Sequence, residues 1–200
     1  MTAAISPWDQ RLARLLVRPL ARTGVTPNQV TGLSLAAGVA AATLFAAGGR
    51  AQADFGALCF MLAMLIDHAD GELARMTGKT SRLGHHLDYI VGSLNYTLLF
   101  IGLGIGLERE WGEGALAIGL GAGLSNPLIV AIRMRMDQRF GAAAVEHPSA
   151  LGFEIEDFAY LIGPITWILG PIFFLVPYGL GTLGYFGWTV YSYARERRRH

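Results

Sequence analysis

Apolar residues run through this chain in long stretches, broken only by short polar clusters. The stretches are too long for strands and too uniform for helices that bury one face. A bilayer-crossing helix needs about 20 mostly apolar residues. Six segments qualify: roughly 28–48, 53–75, 84–107, 113–136, 154–173 and 174–193. The last two form a nearly unbroken apolar run, too long for one crossing, and Gly170-Pro171 or Pro177 marks its division. Residues 7–22 follow another rule. Trp8, Leu12, Leu15, Leu16 and Leu20 recur at helical spacing, while Arg11, Arg14, Arg18 and Arg22 fill other positions. An arginine-rich amphipathic helix of this kind lies in the plane of the membrane interface. Thr26-Pro27-Asn28 ends it, with Pro27 suited to the first turn of the next helix. The pattern therefore predicts an all-α integral membrane bundle of six transmembrane helices over 25–200, preceded by an interfacial amphipathic helix over 1–24.

Composition excludes the soluble alternatives. Of the 200 residues, 52 % are hydrophobic and 16 % charged, against roughly 25 % charge in a soluble domain. So few ionic groups cannot coat a water-facing surface. Disorder, a coiled coil and a disulfide scaffold are excluded as well, and Cys59, the single cysteine, has no intrachain partner. The 26 glycines suit close helix packing in lipid. A net charge of +1 gives no reason to expect nucleic acid. The distribution of charge says more. With six spans, every Lys and Arg except Arg50 and Arg109 falls on one side, which is then the cytoplasmic side. Both termini and the loops near 76–83 and 137–153 belong there. No secretory pattern precedes the first span, and a multi-pass protein of the inner (plasma) membrane is expected.

Ionisable groups inside spans are expensive and point to function. The second span ends in Asp67, Asp70, Gly71, Glu72, Ala74 and Arg75, and the third opens with Gly84, His85, His86 and Asp88. Helical spacing puts Asp67, Asp70, Gly71, Ala74 and Arg75 on one stripe. Gly84, Asp88, Gly92 and Asn95 form a second, with His85 one turn before Asp88. A short loop joins the two helices, so the stripes are expected to face each other at the inner edge of the membrane. Three converging carboxylates repel unless a cation neutralises them. An all-oxygen ligand set at Asp67, Asp70 and Asp88 selects hard ions, Mg²⁺, Mn²⁺ or Ca²⁺, over zinc. Gly71 and Ala74 leave room beside the ion, and Arg75 has the geometry to hold a phosphate. Taken singly, Asp70, Glu72 and Arg75 also fit as helix-end charges paired across the interface.

The run Asp67-x2-Asp70-Gly71-x2-Ala74-Arg75-x8-Gly84-x3-Asp88 resembles the signature of the CDP-alcohol phosphotransferases, the CDP-alcohol phosphatidyltransferase family. That signature reads Asp-x2-Asp-Gly-x2-Ala-Arg-x8-Gly-x3-Asp-x3-Asp. The interfacial helix, the Thr-Pro-Asn opening of the first span and the six spans extend the resemblance over most of the chain. It implies transfer of a substituted phosphate from a CDP-alcohol donor, with CDP-diacylglycerol expected, to an acceptor alcohol in phospholipid synthesis, releasing CMP. It further implies Mg²⁺ or Mn²⁺ between the aspartates, contact of Gly71, Ala74 and Arg75 with the CDP group, and a homodimer. One position departs. Gly92 stands where the family's fourth aspartate helps hold a second metal and acts as the proposed base. His85, an imidazole near the same face, is the substitute base that these residues offer, and Asn95 offers a metal oxygen.

Two outer clusters also bear on the reaction. Glu154, Glu156 and Asp157 open the fifth span and suit a polar acceptor, an extension of the metal site or a helix N-terminus. Arg133, Arg135 and Arg139 close the fourth and suit an acceptor phosphate, an anionic lipid or plain positive-inside anchoring. Two other functions compete. Gly92 favours a catalytically silent CDP-alcohol-binding subunit. A cation transporter is disfavoured, because the acids cluster at one edge and no acidic path crosses the third span.

Overall fold

The computed structural model describes residues 8–141 and 155–199. Its helices are α1 (Trp8–Val17), α2 (Pro27–Ala47), α3 (Arg50–Thr77), α4 (Arg82–Trp111), α5 (Glu113–Phe140), α6 (Ile162–Ile168) and α7 (Ile172–Arg199). Short 3-10 segments cover Leu20–Arg22 and Ile155–Leu161. No strand occurs among the described residues. Local chemistry sets the boundaries. Pro27 opens α2, where the Gln29 side chain accepts from the Thr26 backbone N–H at 2.9 Å. Ser81 caps α4 by accepting from the Gly84 N–H at 2.9 Å. Gly78, at φ 68°, closes α3 in the left-handed conformation that glycine adopts without strain.

α2 packs against α3 and α4, α4 against α5, and α5 against α7. Small residues bring the backbones together. A side-chain carbon on Gly102 or Gly106 of α4 would run into the α2 backbone at Ala42 or Phe45, and Gly104 and Gly119 touch across α4 and α5. Around these contacts Phe60, Leu99, Phe100, Leu103, Phe174 and Leu175 are buried. A second, smaller core joins Ala13 and Val17 of α1 to Val30, Ala69 and Leu73. It docks α1 on the C-terminal half of α3 while Leu12, Leu15 and Leu16 stay exposed.

Among the described residues, three helices are long and apolar enough to cross a membrane: Pro27–Ala47, Gly84–Trp111 and Glu113–Phe140. These match three of the six expected spans. α3 has the length but carries Asp67, Asp70 and Glu72 in its C-terminal half. In place of a fifth full span stand a 3-10 segment and the seven-residue α6. α7 is long, yet its tyrosines, glycines, Trp188 and Pro177 dilute its apolar character. The final apolar run divides at Gly170, whose φ of 108° suits glycine, and Pro177 lies inside α7.

α2 to α5 alternate in direction, and α7 runs parallel to α5, with Gly121 beside Leu183 and Arg133 beside Tyr185. α7 starts beside Phe45, Gly106 and Trp111, where Ile172 and Phe173 line a cavity with them. It reaches Phe140 of α5 through Tyr193. α1 sits at Ala69 and Leu73. Both described termini therefore lie at the end of the bundle that holds the C-terminal half of α3.

Candidate active site

Asp67 and Asp70 stand one turn apart on α3, and Asp88 follows on the second turn of α4. One carboxylate oxygen from each lies within 4.8 Å of the others. The two stripes read from the sequence thus meet at their acids. Three like charges this close are unfavourable without a counter-charge, and an all-carboxylate donor set fits a hard divalent cation.

α2 carries no acid but holds the cluster in place. The Thr31 hydroxyl hydrogen-bonds Asp70 Oδ2 and lies 3.1 Å from the Pro27 carbonyl. Ser34 Oγ lies 3.0 Å from the Ala63 carbonyl and 3.4 Å from Asp67 Oδ1. Asn95 Nδ2 donates to Ser34 Oγ at 2.9 Å. The sequence reading omitted Thr31 and Ser34. Their signal was two hydroxyls three residues apart, on one face of an otherwise apolar span. Asn95 departs from its expected role as a metal oxygen. It is buried, its Oδ1 packs against Gly38 of α2, and it reaches Asp67 only through Ser34. Its Nδ2 has Ser34 as partner, and the absent side chain of Gly38 makes the space for its Oδ1.

Gly71 and Ala74 are half-buried and Arg75 is exposed. The Arg75 guanidinium lies over Gly71, its Nη1 3.5 Å from where a side-chain carbon there would stand. Arg75 Nη2 also donates to Glu72 Oε1 at 2.8 Å. Glu72 is no ordinary helix-end charge. Its side chain is only 3 % exposed, and Arg14 of α1 holds it with Nε to Oε2 at 2.9 Å and Nη2 to Oε1 at 3.2 Å. That bond and the Glu72 charge raise the Arg14 guanidinium pKa above its ordinary value.

His85 is exposed, with its ring edge-on to Tyr89 at 4.8 Å. His68 Nδ1 lies 3.4 Å from the Tyr160 hydroxyl. Gly84 brings the first turn of α4 close to Asn28, whose Oδ1 would stand 3.6 Å from a carbon added there. At Gly92 an added side-chain carbon would lie 3.6 Å from Asp67 Oδ2, so the missing aspartate leaves open space directed at the acids. Arg133 donates to the Tyr185 hydroxyl at 2.5 Å. Arg135 and Arg139 line a shallow hollow with Gln138 and Tyr193. The acidic group Glu154, Glu156 and Asp157 lies outside the residues whose side chains are described. The cavity at the start of α7 includes Arg50, 17 residues before Asp67 on α3 and so about 25 Å away along the helix.

The sequence model of the CDP-alcohol phosphatidyltransferase family matches residues 24–188. The archaetidylinositol phosphate synthase of Pyrococcus horikoshii is 28 % identical over 111 residues, 56 % of this chain and 57 % of that protein. The chain thus spans little more than half the length of this curated relative. Among solved structures, the Mycobacterium tuberculosis phosphatidylinositol phosphate synthase with CDP-DAG bound superposes with a TM-score of 0.65 at 22 % identity. The match covers 92 % of this chain and 91 % of that one. The same synthase in complex with manganese and citrate gives 0.63 at 22 % identity, covering 94 % and 86 %. Both likenesses establish the shared fold.

Proposed function

The chain belongs to the CDP-alcohol phosphatidyltransferase family, and from that membership we propose that it moves a substituted phosphate from CDP-diacylglycerol to an acceptor alcohol in phospholipid synthesis. The observation that carries this reading is the convergence of Asp67, Asp70 and Asp88 within 4.8 Å, beside Gly71 and Arg75. Those three carboxylates would hold Mg²⁺ or Mn²⁺, which when bound supplies charge to polarise the diphosphate and neutralise CMP as it leaves. Thr31 and Ser34 keep the carboxylates aimed at one point. Gly71 and Ala74 leave the α3 face low enough for the nucleotide to lie on it, and Arg75 takes a phosphate oxygen. An acceptor oxygen forms its bond to the β-phosphorus of the donor while the bond from that phosphorus to CMP breaks. The hydroxyl proton has to leave, and Gly92 offers no group to take it. His85, one turn before Asp88 on α4 and on the same face, is the substitute.

Placement in the membrane completes the reading. Six segments traverse the bundle, with the short 155–168 stretch as the fifth. α1 lies in the interface on its exposed leucines, and the acids and both termini face the cytoplasm at the inner membrane. Two copies associate as a homodimer. Reporter fusions at both ends should read cytoplasmic; an external C-terminus would overturn the six-crossing topology.

The deciding experiment is CMP release by the purified chain with CDP-diacylglycerol, Mn²⁺ or Mg²⁺, and a panel of acceptors that includes inositol phosphate and glycerol phosphate. Asp67→Asn and Asp88→Asn should each abolish it. A second reading rests on Gly92: a silent subunit that binds the donor. It gains the case if the parent binds CDP yet releases no CMP with any acceptor.

A further inference from the structure

From the contacts of Glu72 we infer that Arg14 and Glu72 are positioning residues for Arg75, so that the docked N-terminal helix sets the grip on the donor's nucleotide. This rests on the proposed contact between Arg75 and CDP. A carboxylate buried to 3 % exposure must have its oxygens satisfied. Arg14 engages both oxygens, leaving Arg75 a single bond, Nη2 to Oε1. The rest of the Arg75 guanidinium stays on the Gly71 side of α3, where Asp67 and Asp70 also lie. Remove Arg14, and Arg75 is the partner that remains to Glu72 among the described residues. The spacing of 72 and 75 on one helix lets the guanidinium swing in and engage both oxygens, which withdraws it from Gly71. Arg14 itself is held because Ala13 and Val17 are packed on Ala69 and Leu73. Leu12, Leu15 and Leu16 lie exposed on the same short helix. The helix that would sit on lipid is thus tied to the nucleotide site by one buried carboxylate.

The test is equilibrium binding of CDP to the detergent-purified full chain in Mn²⁺, with Mn²⁺ binding and donor kinetics measured beside it. Arg75→Ala should weaken CDP binding most. Arg14→Gln should weaken it about tenfold, the scale of one charge-assisted hydrogen bond. The donor KM should rise with it, while kcat and Mn²⁺ affinity stay within about twofold of the parent. Arg14→Lys should recover only part of the loss, since an ammonium cannot span both carboxylate oxygens. The double variant Arg14→Gln/Glu72→Gln should bind CDP better than Arg14→Gln alone, because a neutral amide no longer draws Arg75 away. If Arg75→Ala weakens CDP binding and Arg14→Gln does not, the positioning role is refuted and the donor reading stands. If Arg75→Ala has no effect, or the parent fails to bind CDP, both fall. Parallel losses of Mn²⁺ and CDP binding in Arg14→Gln would reduce the pair to fold support and overturn the inference.

Discussion

A side-chain carbon at Gly92 would stand 3.6 Å from Asp67 Oδ2, an ordinary van der Waals separation. A side chain can therefore start from this position without moving the backbone. Gly92→Asp is expected to fold, to bind Mn²⁺ more tightly, and to raise CMP release by about 10²–10⁴-fold if a missing base limits the parent. Tighter Mn²⁺ binding with unchanged release would mean that no base is limiting. His85→Ala then tells whether the imidazole already serves, through loss of activity and of a pH limb near the histidine range. The hydroxyls of α2 make a separate case. Thr31→Val strips Asp70 of its bond, and Ser34→Ala breaks the link from Asn95 to Asp67. Each should weaken Mn²⁺ binding about 10–100-fold, as loss of a ligand's supporting hydrogen bond does elsewhere. Titration of either variant with unaltered affinity would remove α2 from the site.

Among the helices, the acids stay together only as long as α2, α3 and α4 keep their spacing. That spacing depends on glycine. A methyl group at Gly106 would strike the Phe45 carbonyl, whereas one at Gly184 of α7 meets nothing within 4 Å. Gly106→Ala should force α2 and α4 apart and destabilise the protein by about 1–3 kcal/mol, the usual range for overpacking. Gly184→Ala, in open space within a helix, should be neutral or stabilising by up to about 1 kcal/mol. Thermal unfolding in detergent distinguishes the two. Equal effects would show that glycine matters here for reasons other than close approach.

Across the whole molecule, the acidic cluster couples stability to metal. Three carboxylates within 4.8 Å repel each other in the folded protein and separate when it unfolds. Mn²⁺ at a hundred times its Kd should stabilise the fold by about 2.7 kcal/mol, since it binds the native state alone. A chelator should reverse the shift. Asp88→Asn should melt higher than the parent in chelator and gain little from Mn²⁺. A parent whose melting temperature ignores Mn²⁺ would contradict a metal site at these residues.

Much of this was legible in one dimension. Apolar run length announced a helical membrane protein, and helical spacing placed Asp67 with Asp70 and set Asp88 one short turn away. Both are properties of a single helix or of two helices joined by a tight loop, so the chain order itself constrains them. The remaining contacts were decided in three dimensions. Thr31 and Asp70 are 39 residues apart, and Arg14 and Glu72 are 58 apart. Periodicity gives the face a residue occupies, never which helix comes to meet that face. Asn95 shows the limit from the other side: spacing put it on the metal stripe, and a gap over Gly38 turned it toward α2. The final apolar run shows both sides: Gly170-Pro171 and Pro177 each offered a break in the sequence, and the fold turns at Gly170 while Pro177 stays inside α7. Which helix approaches which, and how closely, depends on the fit of glycines to facing backbones, and only the folded bundle brings those partners together.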